Sequence, residues 1–283
     1  MRKLTLIAAS VALAITSLSV IAADNNTANV LQAGSDNSAE ISQFSNGATA
    51  SVNQNGNTNT ATVMQTASDN ATAAVNQTGG NNLATVNQGN ANAAVANLTQ
   101  TGNNNAATVT QSQATLANTI ASQNGDGQTL TVLQQNGNNL RALVSQSGTG
   151  SAMNISQTNA NNAAAVTNQA GTGLIGDILQ HSAHDMHAEM VQSGTGQQAR
   201  IDQSGNYDFG RAEQLGAGNK ATITQTASAT GWGAWTDKAG FTGNYAGVYQ
   251  NGTQNTAGIT QSGGGNNRAW VNQSNNAAVG ARF

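Results

Sequence analysis

The stretch Asn105-Ala106-Ala107-Thr108-Val109-Thr110-Gln111 decides how this chain folds. Asn105, Ala107, Val109 and Gln111 share one parity; Ala106, Thr108 and Thr110 share the other. Side chains alternate between faces along a strand, so the first four point one way and the remaining three the other. A helix would set positions 105 and 107 about 200° apart and scatter the set. The period is two, and the segment is a strand.

Working outward, the same pattern, Asn-x-Ala-x-(Val/Ile)-x-Gln, begins in complete form at Asn26, Asn37, Asn59, Asn82, Asn105, Asn219, Asn244, Asn255 and Asn267. These copies close on Gln32, Gln43, Gln65, Gln88, Gln111, Gln225, Gln250, Gln261 and Gln273. Less complete copies fill the gaps, and consecutive closing glutamines are 11 or 12 residues apart except for one step of 25 between Gln225 and Gln250. Between strands lie turn sequences such as Thr101-Gly102-Asn103-Asn104 and Asn55-Gly56-Asn57-Thr58, whose residues tolerate positive φ. Two units, strand-turn-strand-turn, make one flat coil of 22–23 residues. Repeats of this kind stack. The expected fold is all-β: a β-solenoid of about 11 stacked coils, on the order of 50 Å long, cross-β and amyloid-forming.

Stacking also accounts for the composition. The 283 residues include 40 Asn and 27 Gln, but only 4% aromatics and 7% charged residues, against about 25% charged in ordinary domains. A lone buried amide is costly. Identical amides stacked coil upon coil satisfy one another's donors and acceptors beside a zipper of Ala and Val/Ile. The expected ladder is Asn26, Gln32, Asn37, Gln43, Asn59, Gln65, Asn82, Gln88, Asn105, Gln111, Asn219, Gln225, Asn244, Gln250, Asn255, Gln261, Asn267 and Gln273. The absence of Cys excludes a disulfide scaffold and a thiol nucleophile. A net charge of −3 argues against a nucleic-acid binder.

Residues 1–23 read as a signal peptide: Met1-Arg2-Lys3, an apolar stretch to about Ile21, then Ala22 and Ala23, with cleavage after either alanine. The repeat array fills residues 24–225 and resumes at 244–283 with a C-terminal tail. Residues 226–243 stand where one strand is expected and carry Trp232, Trp235 and Phe241 amid glycines. That insert reads as a degenerate strand or as an adhesive aromatic patch. Basic residues are uneven: none lies between Leu4 and Leu140, whereas Arg141, Arg200, Arg211, Lys220, Lys238, Arg268 and Arg282 follow. They read as solvated charges that restrain early collapse, or as an end that docks on an acidic surface.

No chemical site emerges. His181, His184 and His187 form the one weak metal candidate; aligned to the repeat, His184 sits in a turn and the other two flank it, facing outward. Gly171-Thr172-Gly173-Leu174-Ile175-Gly176 fits a dinucleotide fingerprint by spacing, but no helix or βαβ unit follows it. Carboxylates are too scattered for an acid/base pair. No catalytic residue, cofactor or small-molecule substrate is expected.

The Gln-x-Gly-x-x-Asn-x-Ala-x-(Val/Ile)-x-Gln register resembles the curlin repeat, the unit of curli amyloid subunits. The stretch from Asn59 to Gln111 is similar to the major subunit. The segments around Ile201-Asp202-Gln203 and Lys220-Ala221-Thr222-Ile223 are more similar to the minor, nucleating one. The resemblance implies a secreted bacterial protein that self-assembles into surface fibres for adhesion and biofilm matrix. It implies as partners other copies, other curlin-type subunits, an outer-membrane secretion channel and a periplasmic chaperone. The chain departs from the family in its length and in lacking a Gly-rich spacer before Asn26. A solitary solenoid binding ice or another ligand by its outward Thr/Asn face is the other function class, and a β-helix hydrolase stalk a third.

Overall fold

A computed structural model describes residues 6–7, 17–22, 25–226, 243–263 and 266–274. Every regular element among them is a strand, and successive strands alternate between two parallel sheets. The first sheet has twelve strands, from Leu6–Ile7 and Thr27–Ala33 to Arg268–Ser274. The second has eleven, from Ser17–Ala22 and Ser38–Phe44 to Thr256–Gln261. Each strand pairs with the strand one coil away, so Val109 lies between Val86 and Val132, and Gln111 between Gln88 and Gln134. The result is a β-solenoid, as the period-two pattern demands.

The parity of the deciding stretch is visible in its burial. Asn105, Ala107, Val109 and Gln111 are buried, while Thr108 faces solvent. The core between the sheets is a file of Ala with Val, Ile, Leu or Met, including Ala61, Val63, Ala84 and Val86. A second, smaller file fills the corner where the chain turns from the second sheet back to the first. It is built from Ala94, Ala117, Leu140, Ala163 and Met186, with Ala91, Ala114, Ala160 and Ala183 beside them.

The opposite corner is set by glycine. Two residues after each first-sheet ladder glutamine from Gln32 to Gln250 comes a glycine with φ beyond the left-handed well, such as Gly102 at 113° and Gly125 at 134°. A Cβ on Gly125 would meet the Gly148 carbonyl oxygen at 1.9 Å. Only glycine lets coils close to strand spacing there.

Among the described strands, the sheet order leaves no gap for another between Gln225 and Asn244. Lys220–Gln225 in the second sheet is followed by Asn244–Thr253 in the first, and that strand pairs directly with Asp208–Ala217. Residues 227–242, with Trp232, Trp235 and Phe241, lie outside the described residues. From Thr27 onward the described chain therefore makes ten coils and one further first-sheet strand. Ahead of them, Ser17–Ala22 of the expected signal peptide pairs with Ser38–Phe44, placing Ala22 opposite Gln43.

Candidate functional site

The inward glutamines form two continuous ladders. In the first sheet, Gln32, Gln54, Gln77, Gln100, Gln123, Gln146, Gln169, Gln192, Gln214, Gln250 and Gln273 each give Nε2–H to the next Oε1 at 2.7–3.0 Å. In the second, Gln43, Gln65, Gln88, Gln111, Gln134, Gln157, Gln180, Gln203, Gln225 and Gln261 do the same at 2.8–2.9 Å. The other amide hydrogen crosses the coil: Gln77 Nε2 donates to Thr60 O at 3.0 Å, and Gln88 Nε2 to Thr72 O at 3.1 Å. Each ladder thus joins coil to coil and sheet to sheet.

The asparagines behave differently. Asn37, Asn59, Asn82, Asn105, Asn219 and Asn255 occupy the corner before second-sheet strands, with Gln128, Ser151, Leu174 and Gln197 between. Asn26, Asn244 and Asn267 stand at the other corner, separated by the aliphatic file and Asp208. Their bonds run mainly to backbone. Asn37 Oδ1 accepts the Asn59 N–H at 3.0 Å, and Asn37 Nδ2 donates to Gly56 O at 2.8 Å. Asparagine keeps part of the expected amide-to-amide ladder, Asn59 Nδ2 donating to Asn37 Oδ1 at 3.2 Å and Asn82 Nδ2 to Asn59 Oδ1 at 3.0 Å, while most of its bonds reach the backbone of the neighbouring turns.

All glutamine ladder bonds point the same way, and this gives the two ends opposite chemistry. At the N-terminal end, Gln32 Oε1 and Gln43 Oε1 are buried acceptors without a partner. At the C-terminal end, Gln261 and Gln273 spend one amide hydrogen on Tyr245 O and Thr256 O, with no glutamine beyond. Asn255 Nδ2 and Asn267 Nδ2 there are buried donors without partners. The remaining unpartnered buried atoms, Asn118 Oδ1, Gln128 Oε1, Thr167 Oγ1, Gln197 Oε1 and Arg211 Nε, lie inside the array. One end asks for donors and the other for acceptors.

Two of the late basic residues are paired. Arg200 meets Asp177 at 3.4 Å and Asp202 at 3.0 Å; Arg211 meets Glu189 at 3.7 Å and Glu213 at 3.0 Å. Such exposed pairs contribute about 1 kcal/mol or less. The histidines do not converge on a metal site. His181 Nε2 faces Asp202 at 3.2 Å, and His184 Nδ1 faces Asp185 at 3.0 Å. His187 instead stacks on Phe209. Burial, with a lesser effect of Arg141, pushes His187 below the usual imidazole range. Among the described residues no three ligand-type side chains gather around one point.

Sequence reasoning missed two features here. Phe209 stacks on Tyr245, and Tyr245 on Trp270, continuing an aromatic file from His187 along the first sheet. The signal was available, because His187, Phe209 and Tyr245 stand at one register position of successive first-sheet strands. The second is Asp208, buried at an asparagine corner, where Asn244 Nδ2 donates to Oδ1 and the Gly205 N–H to Oδ2. Burial pushes its carboxyl up to about 6 even though both bonds pull the other way.

The family model for the curlin associated repeat matches residues 23–56 and 242–274. No curated protein matches the chain. The matched segments contain the first and last described strands of both sheets from Thr27 onward, and therefore both open ends of the ladders.

Proposed function

From a chain that carries curlin repeats at both ends of a parallel β-solenoid, we propose a subunit of an extracellular fibre that grows by stacking one copy's C-terminal end on the next copy's N-terminal end. The curlin repeat family and this fold fit a curli-like structural subunit, and nothing among the described residues points to catalysis. The observation that carries the reading is the complementarity of the ends. Gln32 Oε1 and Gln43 Oε1 lack donors, while the far end holds amide hydrogens that lack acceptors. A buried polar group left unmet costs about 1–3 kcal/mol, and stacking relieves several at once. The open edges of both sheets add a row of backbone bonds.

Export by the signal peptide, cross-β amyloid order and roles in adhesion and biofilm belong to the same proposal. Other curlin-type subunits, a secretion channel and a chaperone are its expected partners. In the uncut chain the Ser17–Ala22 strand covers the Ser38–Phe44 edge. Removal of residues 1–23 exposes that edge, so the leader keeps the chain from stacking before export. Incubating purified mature protein with thioflavin T, and imaging it, tests the reading: fibres seeded by their own fragments support it, and a chain that stays monomeric for days at micromolar concentration sinks it.

A solitary solenoid binding ice or another ligand is the second reading. In its favour is an outward column of Thr62, Thr85, Thr108 and Thr131 on the second sheet. The column ends at Asn154, and the unpartnered end amides have no role in that reading.

A further inference from the structure

The two ends differ in a way that sets how copies are oriented. From Thr27 onward the described chain contributes eleven strands to the first sheet and ten to the second, the sheets' twelve and eleven less Leu6–Ile7 and Ser17–Ala22. The array starts on the first sheet and ends on it. If the next copy stacked without rotation, Thr27–Ala33 would sit on Arg268–Ser274, and no described strand would fill the place above Thr256–Gln261. That gap would strand the backbone groups of two strand edges and the Gln261 amide.

We propose that successive copies are related by a half-turn about the solenoid axis, so that Thr27–Ala33 of one copy continues the second sheet of its neighbour and Ser38–Phe44 continues the first. This rests on the end-to-end stacking proposed above. The alternation of sheets then runs through the junction unbroken. Gln32 of the incoming copy stacks on Gln261, with Val30 on Ile259 and Ala28 on Ala257. In the other sheet Gln43 stacks on Gln273, Ile41 on Val271 and Ala39 on Ala269. Every inward position meets its own kind.

An independent observation at the last turn supports the half-turn. Turns from the second sheet to the first normally place a residue in the narrow left-handed well two positions after the ladder glutamine, as with Ala67 at 49°, Asn90 at 51° and Asn136 at 52°. The wide-φ glycine belongs to the opposite turns, as with Gly34 at 105° and Gly102 at 113°. The final turn back to the first sheet breaks this division: Gly263 has φ 97°, with nothing within 4 Å of its Cβ position. A half-turn sets the incoming Gly34 turn directly on it. Within the chain Asn37 Nδ2 donates to Gly56 O, the carbonyl three residues before the asparagine above it. By the same geometry the unpartnered Asn267 Nδ2 meets Gly34 O of the incoming copy. The last turn carries the signature of the turn that lands on it.

The chain has no cysteine, so disulfide trapping is clean. Neighbouring parallel strands lie about 4.8 Å apart, within the Cα separation of about 4.4–6.8 Å that a disulfide spans. Leu31, Thr260 and Asn272 are exposed and Ser42 is half-buried, and none of the four is on the inward parity of the ladder glutamines. Fibres of mature Leu31→Cys/Thr260→Cys, grown reduced and then oxidised, are expected to give covalent multimers on non-reducing gels, as are those of Ser42→Cys/Asn272→Cys. Leu31→Cys/Asn272→Cys and Ser42→Cys/Thr260→Cys are expected to stay at the level of the single variants. Multimers from Leu31→Cys/Asn272→Cys, with none from the first two variants, overturn the half-turn and leave end-to-end stacking intact. Fibres that form with no multimer from any of the four variants overturn the stacking itself, and the half-turn with it.

Discussion

Gln214 Nε2 donates to Gln250 Oε1 at 2.8 Å across 36 residues of chain, whereas the preceding ladder pairs span 22 or 23. The ladder does not register the insertion, and neither does the second sheet, where Gln225 meets Gln261 at 2.9 Å. A variant lacking residues 228–240 restores a spacing of 12 between the closing glutamines on either side. Its unfolding free energy in urea is expected to stay within about 1 kcal/mol of the parent, because loop length alone changes closure entropy slowly. A loss of several kcal/mol would show that the insert supplies core contacts.

Ladder position separates stability from growth. Gln43→Ala or Gln261→Ala leaves a buried partner amide short of a bond, at a cost of about 1–3 kcal/mol, and Gln111→Ala costs about the same. Only the first two alter a growing edge. Seeded thioflavin elongation at equal monomer concentration is expected to slow more for them than for Gln111→Ala. Equal slowing would refute templating at the ends.

Asp208 makes stability depend on pH. Its folded value of about 6 lies above the ordinary 3.8, because burial penalises the charged form. For an acid with a raised folded value, the penalty is absent below about pH 4, grows between about 4 and 6, and is full above about 6. Two pH units correspond to about 3 kcal/mol. Urea midpoints are expected to rise as the pH falls from neutral towards 4. Asp208→Asn should be more stable than the parent at neutral pH and nearly flat over the same range. A variant that keeps the parent's slope would place the titration elsewhere.

Two glycines two residues apart carry different loads. Gly125→Ala drives a Cβ against the Gly148 carbonyl, whereas a Cβ on Gly127 meets nothing within 4 Å at φ 65°. The first is expected to lose more than about 3 kcal/mol or to open the coil, and the second about 1 kcal/mol. Thermal melts of the two variants decide the point; similar losses would mean that φ, and not coil approach, selects the glycines.

How much of this was legible in sequence follows from what repeats. Parity and the 11–12 spacing are written into Asn105, Ala107, Val109 and Gln111, so strand, register and inward face could all be read directly. The glutamine ladders followed from the same list. The asparagine columns followed only in part: Asn59 reaches Asn37 and Asn82 reaches Asn59, but most of their bonds go to backbone groups such as Gly56 O, and a residue pattern carries no record of backbone partners. The insert could not be placed because a step of 25 fits a lost repeat as well as an inserted segment. Only the pairing of Asp208–Ala217 with Asn244–Thr253 distinguishes them. Asp208 was passed over because its neighbour Asn244 lies 36 residues away.

The direction of the strand stack relative to the fibre tests the central claim most directly. X-ray diffraction from aligned fibres of the mature chain should give a reflection at about 4.7–4.8 Å along the fibre axis and one at about 10 Å across it. That result places the coils one above another along the direction of growth, as end-to-end stacking requires. A 4.7 Å reflection perpendicular to the axis would mean that solenoids associate side by side, and would contradict growth through the ladder ends.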